Sequence, residues 1–442
     1  MSVRTAQGLP LTAASAEVAT AFDHLVEGFM KYRLDAPLRL KALLTLDPDA
    51  PMAHVLKGSF AMLAYKASAV PAAVAAADRA ATLAANPREV AHVAALRAWA
   101  AQDIDRALAL WSTIVAEHPT DLVAFRLHHF ASFWMGRAAE MRDMAERTHA
   151  RWDAAMPGYG NMLSCRAFAA EESGDYATAE ASGRAAVAMD PADLWAIHAV
   201  AHTLEMQGRR QEGVEWVDGL RPHFAGTNNI QHHVLWHQAL YHLELGDHAA
   251  VLRLYDEGFR DLDSPVTQMQ PDLYIDCQNA ASMLWRLQRQ GVDVGGRWAE
   301  LADKAEARIG DNLSAFTLPH WMMALAATGR LEAGARMLDT MRGSAEGVLR
   351  DAALPVCDAI LRHARGDAAG AVAVMRPALD VMARLGGSHA QQDVLEQFFL
   401  LAARDASDAG AQRLLLDRVA ARHPVPPERR VGYAEAARAM RQ

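Results

Sequence analysis

Apolar residues recur along this chain at intervals of three and four, with polar residues between them. That period puts the apolar set on one side of a helix. No stretch alternates apolar with polar positions long enough to predict a strand, so the chain reads as helical throughout. From residue 191 the runs come in pairs. First helices are predicted over 191–207, 231–245, 271–289, 315–327, 352–364 and 388–403. Second helices are predicted over 209–222, 247–259, 297–309, 331–341, 368–385 and 408–422. Gly208, Gly246, Gly291, Gly329 and Gly366 stand between partners, where a chain leaving a helix needs a left-handed residue.

The earlier part of the chain keeps a beat. Turn prolines fall at Pro48, Pro87, Pro119, Pro157 and Pro191, spaced 39, 32, 38 and 34 residues apart. This brackets the ~34-residue tetratricopeptide period. Proline suits these places because it cannot continue one helix yet is pre-set for the first turn of the next. The clearest unit is 158–191, whose GDYATAEASGRAAVAMDP stretch has small residues for close helix contact, with Ala179 at the buried small position. The fold expected is therefore an all-α solenoid of tetratricopeptide-like hairpins, a right-handed superhelix over residues 1–442. It would form one continuous domain, long enough to curl around its concave groove. Residues 424–442 are expected to form a C-terminal capping helix.

Composition narrows the partners. The net charge is −9 and no Lys/Arg block forms a stripe, which argues against nucleic acid. Only Lys31, Lys41, Lys57, Lys66 and Lys304 are lysines; we read that as the base composition of a GC-rich bacterial genome. No apolar run is long enough to span a membrane, and residues 1–21 lack the core of a secretory signal. Cys165, Cys277 and Cys357 are odd in number and far apart, as expected of small core residues in a reducing cytoplasm.

The histidines change the picture most, because they crowd onto first helices. His198 and His202 are four apart, as are His233 and His237, Asp272 and Asp276, and His389 and Asp393. Spacing of four puts both side chains on one helical face, which in such a solenoid lines the groove. Glu205 joins the first pair and Tyr241 the second; His320 and Gln391 lie on later first helices, and Ser388 stands where it can cap the last. Two imidazoles one turn apart can share a divalent metal, so His198, His202, His233 and His237 form a candidate metal set. His202, His237, Glu205, Asp276 and Asp393 are candidates for acid–base work; His198, His233, Asp272, His320, Tyr241, His389 and Gln391 would contact a ligand. The bland reading is that helical histidines are satisfied packing residues and that the tryptophans are core. His118, His149, His223, His248 and His423 fall at turns or on second helices and are set aside. His232 and Trp236 are assigned to a different part of the surface.

AHTLEMQGRRQEG (201–213), HHVLWHQALYHLELG (232–246), SMLWRLQRQGVDVGGRW (282–298), DAALPVCDAIL (351–361) and GGSHAQQDVLEQ (386–397) resemble the tetratricopeptide repeat protein 38 family, in order and spacing. The resemblance implies an all-helical repeat protein and no defined activity. His198, His202, Glu205, His233, His237, Asp272, Asp276, His320, Gln391 and Asp393 match its pattern. His389 and Gln392 depart from it, since the family tolerates Asn at the first and favours Arg at the second. The leading expectation is a binding module whose groove takes a small polar molecule or a peptide segment. The alternatives are a metal-assisted or acid–base hydrolase or lyase using the same residues, and a protein–protein scaffold. A homo-oligomer is compatible with each.

Overall fold

The computed structural model describes residues 2–440. It is an all-α array of antiparallel helical hairpins. The hairpin expected over 158–191 is built from the helices Tyr159–Glu171 and Tyr176–Met189, with Ala179 fully buried between them. Its turn explains why the pattern repeats. Gly174 is left-handed at φ +80, and nothing lies within 4 Å of the Cβ it lacks, so glycine is there for its backbone alone. The next amide, Asp175 N–H, donates back to the Ala170 carbonyl at 2.9 Å, closing the first helix. The Asp175 carboxylate then accepts from Thr178 N–H and caps the second helix. Asp103, Asp247, Asp367 and Asp408 do the same at four further turns. Gln102 and Ser407 supply the left-handed residue at two of them.

The predicted pairs after residue 191 are all present. First helices run Leu194–Met206, Ile230–Leu245, Tyr274–Arg289, Thr317–Ala327, Leu354–Ala364 and His389–Asp405. Two second helices are shorter than expected. The helix Ala368–Met375 gives way to two 3-10 turns, Arg376–Asp380 and Met382–Leu385, because Pro377 has no N–H to continue the ladder. The helix His248–Leu254 ends in a wide turn over Tyr255–Phe259.

One expectation fails outright. Ser2–Arg4 pairs antiparallel with Pro10–Thr12, where no strand was expected. Three residues a side are too few to leave an alternating pattern. The hairpin is held by tertiary contacts instead: Thr12 N–H donates to Glu89 Oε1 at 2.6 Å, and Arg88 donates to the Pro10 carbonyl at 3.0 Å.

Backbone contacts divide the chain into two compact units. The first comprises residues up to Phe133, Arg137–Val200 and Gly219–Gln231; the second comprises Trp134–Gly136, Ala201–Asp218 and the chain from His232 onward. The first unit contains a buried ion network in which Asp121 accepts from Arg88 Nε at 2.6 Å and sits 2.8 Å from His92 Nε2. In the second unit the chain ends in a 3-10 turn at Pro427–Arg429 and a short helix, Ala434–Ala439; residues 441–442 of the predicted capping segment lie outside the described residues. All three cysteines are buried free thiols. No helix among the described residues is long and apolar enough to cross a membrane.

Candidate metal and polar-ligand site

The second unit gathers three imidazoles. His202 comes from the last turns of Leu194–Met206, and His233 and His237 come one turn apart from Ile230–Leu245. The His202 and His237 rings are 4.2 Å apart between centroids, and those of His233 and His237 are 4.9 Å apart. Each can present a ring nitrogen so that these nitrogens lie within 4.8 Å of one another. The set is buried, with His237 at 0% exposure. Burial and the neighbouring imidazoles hold His202 and His233 well below the usual histidine range. Burial alone takes His237 down to about 3. All three are therefore neutral near pH 7, the form that ligates metals.

Two of these rings are oriented from outside. Nδ1 of His237 lies 2.7 Å from Oε2 of Glu205. Nδ1 of His233 lies against the side-chain amide of Asn279, 3.3 Å from Oδ1. A carboxylate or amide against Nδ1 holds each ring in a fixed orientation. Trp236 stacks on His233 at an interplanar angle of 11° and restrains it further. Burial pushes the Glu205 carboxyl up to about 8, against the pull of Arg286. Its side chain keeps 20% exposure, so Glu205 is the member of the group that reaches solvent.

The remaining predicted residues sort around this core. Asp276 is buried, but its partner is His232, whose Nδ1 lies 3.1 Å from Oδ2. Sequence spacing had sent His232 elsewhere; the Tyr274–Arg289 helix brings Asp276 to it. Asp272 does not share a helical face with Asp276, because that helix begins only at Tyr274; Asp272 pairs with Arg308 at 3.1 Å instead. The Tyr241 hydroxyl donates to the Ala201 carbonyl at 2.5 Å. His320 bonds the Phe316 carbonyl at 2.9 Å through Nδ1. Ser388 caps the His389–Asp405 helix as expected, in a reciprocal box with Gln391, and the Gln391 amide reaches Gln278 at 3.5 Å. His389 is half-buried and close enough to His202 to act on it electrostatically.

Asp393 is placed for a structural part. It accepts from Gln397 Nε2 at 2.7 Å, Arg286 Nη2 at 3.2 Å, and Arg430 Nη2 and the Tyr433 hydroxyl at 2.6 Å each. Burial pushes its pKa up, but the two guanidinium groups outweigh that and hold it at about 2. A carboxylate with four donors on it has no lone pair to offer as a base. His198 lies one turn before His202 and belongs to the first unit, where it stacks on Phe168 at 5.3 Å. Among the expected ligand-contacting residues, His198 in the first unit and His202, His233, His237, Asp276, His320, Gln391 and Asp393 in the second are each buried.

No family model matches the chain. Among solved structures it is similar to the APC/C hetero-tetramer Cut9–Hcn1, at 11% identity over 93% of this chain and 87% of that one, with a TM-score of 0.36. It is similar to Naa15/Naa10 bound to HypK-THB, at 12% identity over 96% and 73%, TM-score 0.26. The TPR domain of P58(IPK) follows at 12% identity over 89% and 99%, TM-score 0.21. At these scores the likenesses assign no activity to this chain.

Proposed function

We propose that this chain is a ligand-binding helical-repeat protein whose second unit holds a divalent transition metal on His202, His233 and His237. The observation that carries this is the convergence of three buried imidazoles within 4.8 Å, two of them oriented through Nδ1 by Glu205 and Asn279. Three imidazoles suit zinc-class ions and leave a coordination position open. A small polar molecule would occupy that position, with Glu205 beside it on the solvent side. The open position also supports a second reading, metal-assisted hydrolysis or lyase chemistry with Glu205 moving the proton. On its sequence motifs we place the chain with the tetratricopeptide repeat protein 38 family, and on its three free thiols in the cytoplasm.

The test is native mass spectrometry of the purified protein beside its denatured mass. One added divalent ion is expected, and it should be lost in His202→Ala and His237→Ala while far-ultraviolet circular dichroism is unchanged. A metal-free mass that takes up no zinc on dialysis would remove the metal and return the chain to a protein-binding scaffold.

A further inference from the structure

The first unit contains a buried cation with no carboxylate hydrogen-bonded to it. Arg126, in the helix Leu122–Trp134, is fully buried. Its guanidinium carbon lies 4.4 Å from the centroid of Phe130, 4.6 Å from that of Trp195 and 4.9 Å from that of Tyr32. These rings cover its faces and leave its edges to make hydrogen bonds. One edge is used, since Nη1 donates to Cys165 Sγ at 3.0 Å. Nε and Nη2 have no acceptor among the described residues. The Tyr32 hydroxyl interacts with the guanidinium, but burial keeps the phenol neutral, so it supplies no counter-charge. Asp193 is the nearby carboxylate, and it is engaged elsewhere: it caps the next helix through the Trp195 and Ala196 amides and accepts from Asn161.

Nε and Nη2 are neighbours on one side of the guanidinium. That side is the fork that matches the two oxygens of a carboxylate. A buried guanidinium with no carboxylate hydrogen-bonded to it is costly, and ring faces offset only part of the cost. His129 stands one turn further along the same helix, also buried, with neither ring nitrogen bonded. Its ring packs against Trp195 and Phe130, the same rings that flank Arg126, so it can supply one more N–H. Tyr32 is held left-handed at φ 52, with its carbonyl fixed by Asn228 N–H at 2.7 Å. That left-handed residue closes the preceding helix, with Arg33 N–H donating to the Gly28 carbonyl at 2.8 Å. Tyr32 and Phe130 are the partly exposed walls.

We propose that the first unit is a binding site for a small organic carboxylate, held side-on by Nε and Nη2 of Arg126, with His129 as a further donor and Tyr32, Phe130 and Trp195 around it. A carboxylate fits better than a phosphate, because the apolar walls would leave the extra phosphate oxygens without donors. This site is independent of the metal reading.

The experiment is calorimetric titration of the full chain with benzoate, with benzamide as the neutral isostere and inorganic phosphate as the competing anion. Saturable benzoate binding is expected, together with a rise in melting temperature that neither benzamide nor phosphate produces. Arg126→Lys should weaken benzoate by about tenfold or more, because an ammonium lacks the two-pronged edge. Benzoate behaving like benzamide would overturn the proposal, as would equal affinity in Arg126→Lys. Stronger binding of phosphate would overturn the carboxylate assignment. The wild-type comparison decides alone if Arg126→Lys does not fold.

Discussion

Nδ1 of His237 and Oε2 of Glu205 lie 2.7 Å apart, and the pair is set so that one proton rests between them. Burial takes Glu205 up to about 8 and His237 down to about 3. Near neutral pH the Glu205 carboxyl therefore donates to Nδ1, and the imidazole carries its own proton on Nε2. If Nε2 held a metal, the imidazole would carry its proton on Nδ1 and donate it to a Glu205 carboxylate, and the carboxyl proton would be released. Uptake releases one proton in all. Affinity for zinc should rise about tenfold per pH unit between about pH 6 and 8 and level off above. Glu205→Gln should flatten that profile. Calorimetry in buffers of different ionisation heat checks the proton count, and a pH-independent wild-type affinity would contradict this assignment.

Acid should unfold the metal-free protein earlier than its carboxylates require. Burial lowers both His320 and His389 to about 4, whereas an unfolded imidazole protonates near 6.5. Their folded pKa values are depressed, so the stability they contribute is complete above about pH 6.5 and is lost as pH falls toward about 4. Each such group adds a slope of up to about 1.4 kcal/mol per pH unit in that window. Urea denaturation across the window should show His320→Asn with a shallower slope than wild type. An unchanged slope would mean that His320 titrates normally in the fold.

Asp393 is predicted to matter for stability rather than for proton transfer. Asp393→Ala leaves Arg286 and Arg430 facing each other in the interior without their shared acceptor. Breaking a buried pair in this way costs about 3–5 kcal/mol. Asp393→Asn keeps two lone pairs and should cost less. Thermal denaturation ranks the two variants, and zinc content per folded molecule should be the same in both.

How much of this was legible depended on which contacts were local. The hairpins were legible because the Gly-Asp turns at Gly174, Gly246 and Gly366 act within a few residues. His202 and His237 stood out because a spacing of four survives translation into a helix face. His232 was misplaced because its partner, Asp276, is 44 residues away and no helical period connects them. The pairing of Arg286 and Arg430 with Asp393 was not legible, because Asp393 lies 107 and 37 residues from them. The burial of these side chains was not legible for the same reason. Each helix face was read by itself, while burial depends on what packs over it. Nor did the sequence single out Arg126, since two of the three rings around it, Tyr32 and Trp195, come from distant segments.

The loop before the His389–Asp405 helix sets the position of several site residues, and one glycine tests it. Gly386 has φ +85 and ψ −167, a region closed to residues with a Cβ. A Cβ there would lie 2.3 Å from the Trp134 carbonyl oxygen. Its own carbonyl and that of Gly387 accept from Gln392 Nε2 at 3.0 and 3.1 Å, tying the loop to the helix it precedes. Gly386→Ala must both strain the backbone and push it off Trp134, so a loss of about 3 kcal/mol or more is expected. Gly174→Ala is the control: it shares the positive φ but has open space around it, and should cost only about 1 kcal/mol. Melting curves of the two variants separate backbone preference from close approach. Equal losses would mean that the Trp134 contact yields freely, and that the loop does not hold His389, Gln391 and Asp393 in place.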